Sequence, residues 1–273
     1  MNTVSLDTVV KAYRWRVDRW RRARRPDLER VFFLHLPKCA GTSVAVAIRD
    51  VYARSAYSTV HLDPHAADRA AEAMGAPRKD LRRKLLNYNM NSKENRYISG
   101  HFPFSSQAWR SVGDRWRHIT ILRDPVSRWI SNFLYNKYKK NDDYRINSDI
   151  SEFVDSERGR YHGLNYVANL TDLGPGVSWE GDRAIAEAIE NVSRFHVVGV
   201  LERMDGFIRD CSSLIGTPLV IGHRRKSPKP DGRSREEISP EVLQRIQDVC
   251  APNQRVYEAV LSRIDQNGSW LNR

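Results

Sequence analysis

Cysteine is scarce: three residues in 273, at Cys39, Cys211 and Cys250. They are odd in number and far apart, with no Cys-x-x-Cys and no Cys/His ligand spacing. That excludes a disulfide scaffold and argues against a structural zinc site, so no metal is expected. A reducing compartment is the simple reading. Long hydrophobic runs are also missing. The best stretch, Val31-Phe32-Phe33-Leu34, falls far short of the roughly 18–20 apolar residues a membrane span requires. The first 30 residues hold no apolar signal core, and the chain opens on Met1; both features predict a cytoplasmic protein rather than one trimmed from an anchor. Glycine and proline number 15 and 12, too few for a collagen-like or low-complexity chain. No internal repeat is visible. Acidic residues are in deficit, 33 against 45 basic, which leaves a net charge of +12 and a pI near 9.8.

What is present is enough for a buried core: 40% of residues are hydrophobic. The length fits one large α/β domain or two small ones. The excess positive charge should attract a polyanion, whether a phosphate-rich cofactor, nucleic acid, acidic lipid or acidic sugar, and composition alone does not choose among them. Residues 1–30 are a basic lead-in. Val10, Tyr13, Val17 and Trp20 recur at helical spacing among Arg14, Arg16, Arg19, Arg21 and Arg22. This predicts an amphipathic helix, either packed on the main domain or free to touch a membrane surface or polyanion.

From Val31 the pattern is strand alternating with helix. Val31 to Leu36 is a short apolar run, right for a buried strand. Lys38 to Ser43 is a small-residue loop, and Val44 to Tyr52 reads as a helix with Ser43 as its cap. Tyr97–His101, His118–Leu122 and Phe195–Val200 read as further strands. Helices are predicted from Val126 to about Tyr138, from Asp182 to Asn191 and from Met204 to Ile215, and Pro240 to about Ile264 is predicted to close the chain as helices. Residues 53–95 are polar, partly helical, and carry a basic cluster at Arg78, Lys79, Arg82, Arg83 and Lys84. Residues 139–180 read as loops and short helices forming an acceptor-side insertion. The pattern implies a single α/β domain over 31–273 with a central, mainly parallel sheet flanked by helices, and ligands at the strand C-terminal ends.

Two turns carry the chemistry. In Leu36-Pro37-Lys38-Cys39-Ala40-Gly41-Thr42-Ser43, small residues let backbone N–H groups close around an anion. The helix start adds partial positive charge, Lys38 a full one, and Thr42 and Ser43 hydroxyl donors. This is P-loop-like physics in a different spelling, because the lysine comes first and no hydroxyl follows it directly to hold Mg²⁺. The second turn, Arg123-Asp124-Pro125-Val126-Ser127-Arg128-Trp129-Ile130-Ser131, again joins a buried strand to a helix. Arg123 and Ser131 are suited to grip a second phosphate, whereas Arg128 reads as a surface ion-pair residue in preference to a ligand contact.

Together these motifs resemble the sulfotransferases that use 3′-phosphoadenosine-5′-phosphosulfate (PAPS). His35 to Ser43 resembles the family's 5′-phosphate loop, and Arg123 with Ser131 its 3′-phosphate pair. Ser99-Gly100-His101-Phe102-Pro103-Phe104 and Val198-Gly199-Val200-Leu201-Glu202-Arg203-Met204-Asp205 are similar to segments of its carbohydrate branch, the second lying near the adenine pocket. The resemblance spans roughly residues 31 to 260 and points to a bacterial-type soluble member close to the uronyl 2-O type. Two departures stand out: Cys39 replaces the usual Thr or Ser after the loop lysine, and the later basic segment is matched only loosely by His223-Arg224-Arg225-Lys226-Ser227.

The resemblance implies sulfuryl transfer from PAPS to an acceptor hydroxyl, on a carbohydrate or another alcohol, leaving 3′-phosphoadenosine-5′-phosphate (PAP). The implied cofactor-binding residues are Lys38, Cys39, Ala40, Gly41, Thr42, Ser43, Arg123 and Ser131. Lys38 would also stabilise the leaving oxygen. His101, with an ordinary pKa of about 6.5, is the candidate base; His35 reads as structural, and His61, His65, Asp63 and Glu94 are reserves. The partner would be a hydroxyl-bearing acceptor, with an anionic glycan fitting the charge. A nucleoside-triphosphate kinase using Asp124, or a non-catalytic polyanion binder using Trp15, Trp20, Trp109, Trp116 and Trp129, are the competing readings. Nucleic acid is not the expected partner, because most of these tryptophans fall on apolar helix faces.

Overall fold

The computed structural model describes residues 28–54, 57–139, 142–173, 177–222 and 238–271. The predicted N-terminal helix, with Trp15 and Trp20, and the basic segment at His223–Ser227 lie outside the described residues. In chain order the elements begin with β1 (Val31–Leu34), α1 (Gly41–Arg54), β2 (Ser58–His61), α2 (Pro64–Ala73), α3 (Arg78–Asn91) and β3 (Asn95–Gly100). Next come α4 (Ser106–Val112), β4 (Arg117–Leu122), α5 (Pro125–Tyr138), α6 (Ile150–Asp155), α7 (Glu157–Gly163) and α8 (Asn165–Leu170). The chain finishes with α9 (Asp182–Ser193), β5 (Val197–Val200), α10 (Met204–Ile215) and α11 (Pro240–Asn267).

The five strands form one parallel sheet in the order β2-β3-β1-β4-β5. This is the α/β architecture the alternation predicts. β1 and β5 are apolar throughout and every residue in them is buried, as strands covered on both faces must be. Leu34 pairs with Gly100 on one side and Thr120 on the other, and the Thr120 hydroxyl donates to the Leu34 carbonyl at 2.9 Å. Gly199 in β5 allows close packing: a Cβ there would lie 2.4 Å from the Phe207 ring of α10. A second cluster, around Trp129, Phe133, Phe153 and Ile246, joins α5, α6 and α11.

By the switch-point rule, this strand order predicts where a ligand crevice would open. From β1 the chain leaves through α1 toward the β2 edge; from β4 it leaves through α5 toward the β5 edge. β1 and β4 are neighbours, so their connections diverge, and the crevice opens between their C-terminal ends. Both turns singled out in the sequence start at this point.

Three expectations need correction. β2 is a strand that the sequence pattern concealed, because Ser58-Thr59-Val60-His61 sits at the sheet edge, half-exposed and without an apolar run. Helix α1 begins at Gly41, so Ser43 lies in its first turn rather than capping it; the Ser43 N–H donates to the Ala40 carbonyl at 3.0 Å. The closing segment is one continuous helix that runs through Pro252. Just past that proline, the buried Asn253 turns its side-chain oxygen to the N–H groups of Tyr166 and Val167, at 3.0 and 3.2 Å, and so caps α8.

Candidate active site

The turn after β1 is built on backbone conformation. The His35 N–H continues the sheet by donating to the Gly100 carbonyl at 3.0 Å, and Pro37 then ends the pairing. Lys38 and Ala40 both take the left-handed conformation, with φ of 66° and 58°. Each costs of order 1–3 kcal/mol for a residue with a Cβ, a strain that persists only where the surroundings impose it. Positive φ on either side of Cys39 curls the chain as in anion-binding nests. Gly41 must lack a side chain, because a Cβ there would fall 1.9 Å from the His35 ring. Thr42 is exposed and Ser43 half-exposed at the start of α1, where helix N–H groups lack intrahelical partners.

The Cys39 side chain turns into the core. It is fully buried and points away from the turn's open face, with Sγ 3.6 Å from the Pro37 carbonyl and 3.5 Å from the Tyr166 hydroxyl. Burial pushes the thiol up to about 11. Its side chain is therefore part of the core, and only its backbone belongs to the cradle.

The turn after β4 is built on side chains. Asp124 caps α5 by accepting from the Ser127 N–H at 2.7 Å, and Pro125 takes the first helical position, where its missing N–H costs nothing. The Asp124 carboxylate on which the kinase reading relied thus serves as a helix cap. Arg123 reaches back across the crevice, its Nη1 donating to the Lys38 carbonyl at 3.4 Å. The Lys38 ammonium lies 3.9 Å from the centre of the Tyr135 ring. Tyr135 is one helical turn beyond Ser131, so Lys38 and Ser131 address the same face of α5. The structure therefore joins Lys38 to Arg123 and sets Lys38 against the face of α5 that carries Ser131.

Tyr166 and Glu202 tie the turns in place. The Tyr166 hydroxyl accepts from the Arg123 N–H at 2.9 Å and donates to the Arg123 carbonyl at 2.5 Å, beside the Cys39 thiol. Glu202 accepts from the Asp124 N–H through Oε1 and from the Tyr257 hydroxyl through Oε2, both at 3.0 Å. Sequence reasoning missed Tyr166, which lies in a polar stretch with no local signal. It placed Glu202 in a resembling segment without a role. Arg128 is a further correction: it is wholly buried rather than on the surface, and its Nη2 donates to the His162 carbonyl. It lies on the inward face of α5, between Trp129 and the cap.

His101 sits where β3 ends, beside Gly100, whose φ of 144° and a would-be Cβ 2.6 Å from the Leu62 side chain both call for glycine. Its Nδ1 is 2.7 Å from the His35 carbonyl, and the two imidazoles lie 4.3 Å apart. A carbonyl only accepts, so Nδ1 carries the proton and Nε2 is left with its lone pair. Burial, opposed by that carbonyl bond, holds His101 down to about 4. It is neutral near pH 7. His35 is buried and unbonded at Nδ1, packed between Gly41 and His101, which fits its structural reading. Of the reserves, Asp63 caps α2, His61 bonds the Ser99 hydroxyl at 2.9 Å, and His65 lies 3.6 Å from Asp143. Among the described residues, no group of three or more His, Cys, Asp or Glu is placed to hold a metal ion.

The basic cluster of α3 borders His101. Arg82 donates to the His101 carbonyl at 3.2 Å and to Asp68 at 2.6 Å, and Asp68 also accepts from the Tyr144 hydroxyl at 2.5 Å. Lys79 donates to the Ala168 carbonyl at 2.7 Å and lies 4.0 Å from the Trp179 ring, which meets Tyr161 edge-on. Burial, then Arg83 and Arg82, bring Lys79 down to about 7. Of the tryptophans proposed for nucleic acid, Trp116 and Trp129 are wholly buried in the core.

The match to a known family fits this geometry. Residues 22–169, more than half of the chain, match the sulfotransferase family, and the chain belongs to it. A crystal structure of a sulfotransferase from Alicyclobacillus acidocaldarius superposes with a TM-score of 0.48 at 15% identity, over 86% of this chain and 96% of that one. No curated protein matches the chain. No described helix is long and apolar enough to cross a membrane.

Proposed function

We propose that this sulfotransferase takes PAPS as donor and transfers its sulfuryl group to a hydroxyl of an anionic carbohydrate or related alcohol, with His101 as base. One observation carries the reading: two turns from neighbouring strands meet at the divergence point of the sheet, joined by Arg123 on the Lys38 carbonyl. The residues present suit a nucleotide with phosphates at both ends. Lys38, the backbone of Cys39 to Thr42, and the Thr42 and Ser43 hydroxyls would hold the 5′-phosphate. Arg123 and Ser131 would hold the 3′-phosphate; among the described residues the Ser131 hydroxyl has no hydrogen-bond partner.

When bound, PAPS supplies the sulfuryl group and a phosphate leaving group. Lys38 places positive charge where negative charge grows on the leaving oxygen, a contact that strengthens toward the transition state. His101 Nε2 is available to take the acceptor's proton, with its orientation set by the His35 carbonyl. A phosphate anion nearby would raise its proton affinity. Arg82 bonds the His101 carbonyl and is joined through Asp68 to Tyr144, and Lys79 on the same helix lies against Tyr161 and Trp179. Cations beside aromatic faces suit a sugar that carries a negative charge. Three buried free thiols fit a reducing, cytoplasmic setting.

The deciding experiment is calorimetry with PAP in the absence of Mg²⁺, followed by an acceptor screen with labelled PAPS. Tight PAP binding and label transfer to an anionic oligosaccharide are expected. Salt-dependent DNA binding with no PAP affinity would overturn the reading.

A further inference from the structure

We infer that Arg128 is a positioning residue of the donor site: a buried charge beneath the two turns that braces Tyr166 against them and is balanced by the anion they bind. The inference rests on the PAPS reading above. Arg128 is 0% exposed. Its Nη2 donates to the His162 carbonyl, while Nε and Nη1 have no hydrogen-bond partner among the described residues. No acid among the described residues lies within ion-pair distance of it. A guanidinium keeps its charge, so among the described residues this interior charge has no counter-charge, an arrangement that is strongly unfavourable unless something offsets it.

Its surroundings indicate what does. The guanidinium carbon lies 5.4 Å from the centre of the Tyr166 ring, and the other end of Tyr166 bonds Arg123 on one turn and the Cys39 thiol on the other. Arg128 also lies one turn from the helix cap, its N–H donating to the Asp124 carbonyl at 2.8 Å. Its field reaches the other turn: burial pushes the Cys39 thiol up, and Arg128 is the largest influence pulling it down. A cation under both phosphate-binding turns, in a region of low dielectric, attracts an anion on their outer face more strongly than a solvated one would. Arg128 touches neither phosphate in this arrangement; it acts through Tyr166 and through its charge.

The test is calorimetric titration of the full chain with PAP and with uncharged adenosine. Arg128→Gln removes the charge, and we expect about tenfold weaker PAP binding with adenosine affinity within about twofold of wild type. Arg128→Lys keeps the charge and should bind PAP within about threefold of wild type. Tyr166→Phe keeps the ring under the guanidinium and removes the hydroxyl; about fivefold weaker PAP binding is expected. Wild-type PAP affinity in folded Arg128→Gln, or a loss in folded Arg128→Lys above about tenfold, overturns the charge role. Should Arg128→Gln not fold, Arg128→Lys and Tyr166→Phe decide, and unchanged PAP affinity in Tyr166→Phe rejects the brace. Absence of PAP binding by the wild-type protein would instead overturn the donor-site reading itself.

Discussion

The turns after β1 and β4 each launch a helix from the centre of the same sheet, yet they are made differently. The first is strained: two side-chain-bearing residues, Lys38 and Ala40, are held in the left-handed conformation, and Gly41 is pressed against His35. The second is relaxed: an aspartate cap and a proline start α5 in their preferred positions. The first turn therefore offers backbone N–H groups, whose direction depends on the whole loop. The second offers Arg123 and Ser131, whose reach depends on two side chains. Recognition built on backbone should tolerate little change, whereas recognition built on side chains should lose affinity one contact at a time.

Substitutions can break that contrast. Lys38→Ala in the strained turn should lower kcat/KM by about 10³-fold in a labelled-PAPS assay; full turnover would remove Lys38 from the mechanism. His101 hangs from the same turn through the His35 carbonyl. His101→Ala should lower kcat by about 10²-fold while PAP affinity stays nearly intact. The same variant tests a linkage. His101 titrates near 4 in the folded chain, below its ordinary value of 6.5. The unfolded chain therefore binds more protons between those values, and stability present above pH 6.5 is lost as pH falls toward 4. Thermal melts across that window should show a shallower decline in His101→Ala than in wild type; identical slopes would contradict the assignment. In the relaxed turn, Ser131→Ala should weaken PAP binding by about tenfold without unfolding the protein. Smallest of all, Asp124→Ala should cost about 1 kcal/mol of stability through the lost cap, read as a lower Tm; a loss of several kcal/mol would show that this turn is strained as well.

The positions of β1, β3, β4 and β5 were legible because buried parallel strands must be apolar, and Pro, Gly and small polar residues punctuate them. The edge strand β2 was not legible, since half of it faces solvent and its residues alternate without contrast. Lys38, Arg123 and Ser131 could be found from type and spacing beside strand ends. Cys39 could be placed in the loop, but nothing in its neighbours says that its thiol turns inward to meet Tyr166. Arg128 misled for a related reason: an arginine on an amphipathic helix usually faces water, and only the packing of α7 and α8 against α5 encloses it.

Local chemistry in the sequence was sufficient to determine an alternating α/β chain with two anion-seeking turns, because strand, turn and helix signals act over a few residues. Only the tertiary structure decided that those turns meet across β1 and β4, that Tyr166 clamps them from a helix more than 40 residues after Arg123, and that Arg128 lies beneath both. These are contacts between segments distant in sequence, and their partners are chosen by packing that no short window of residues contains.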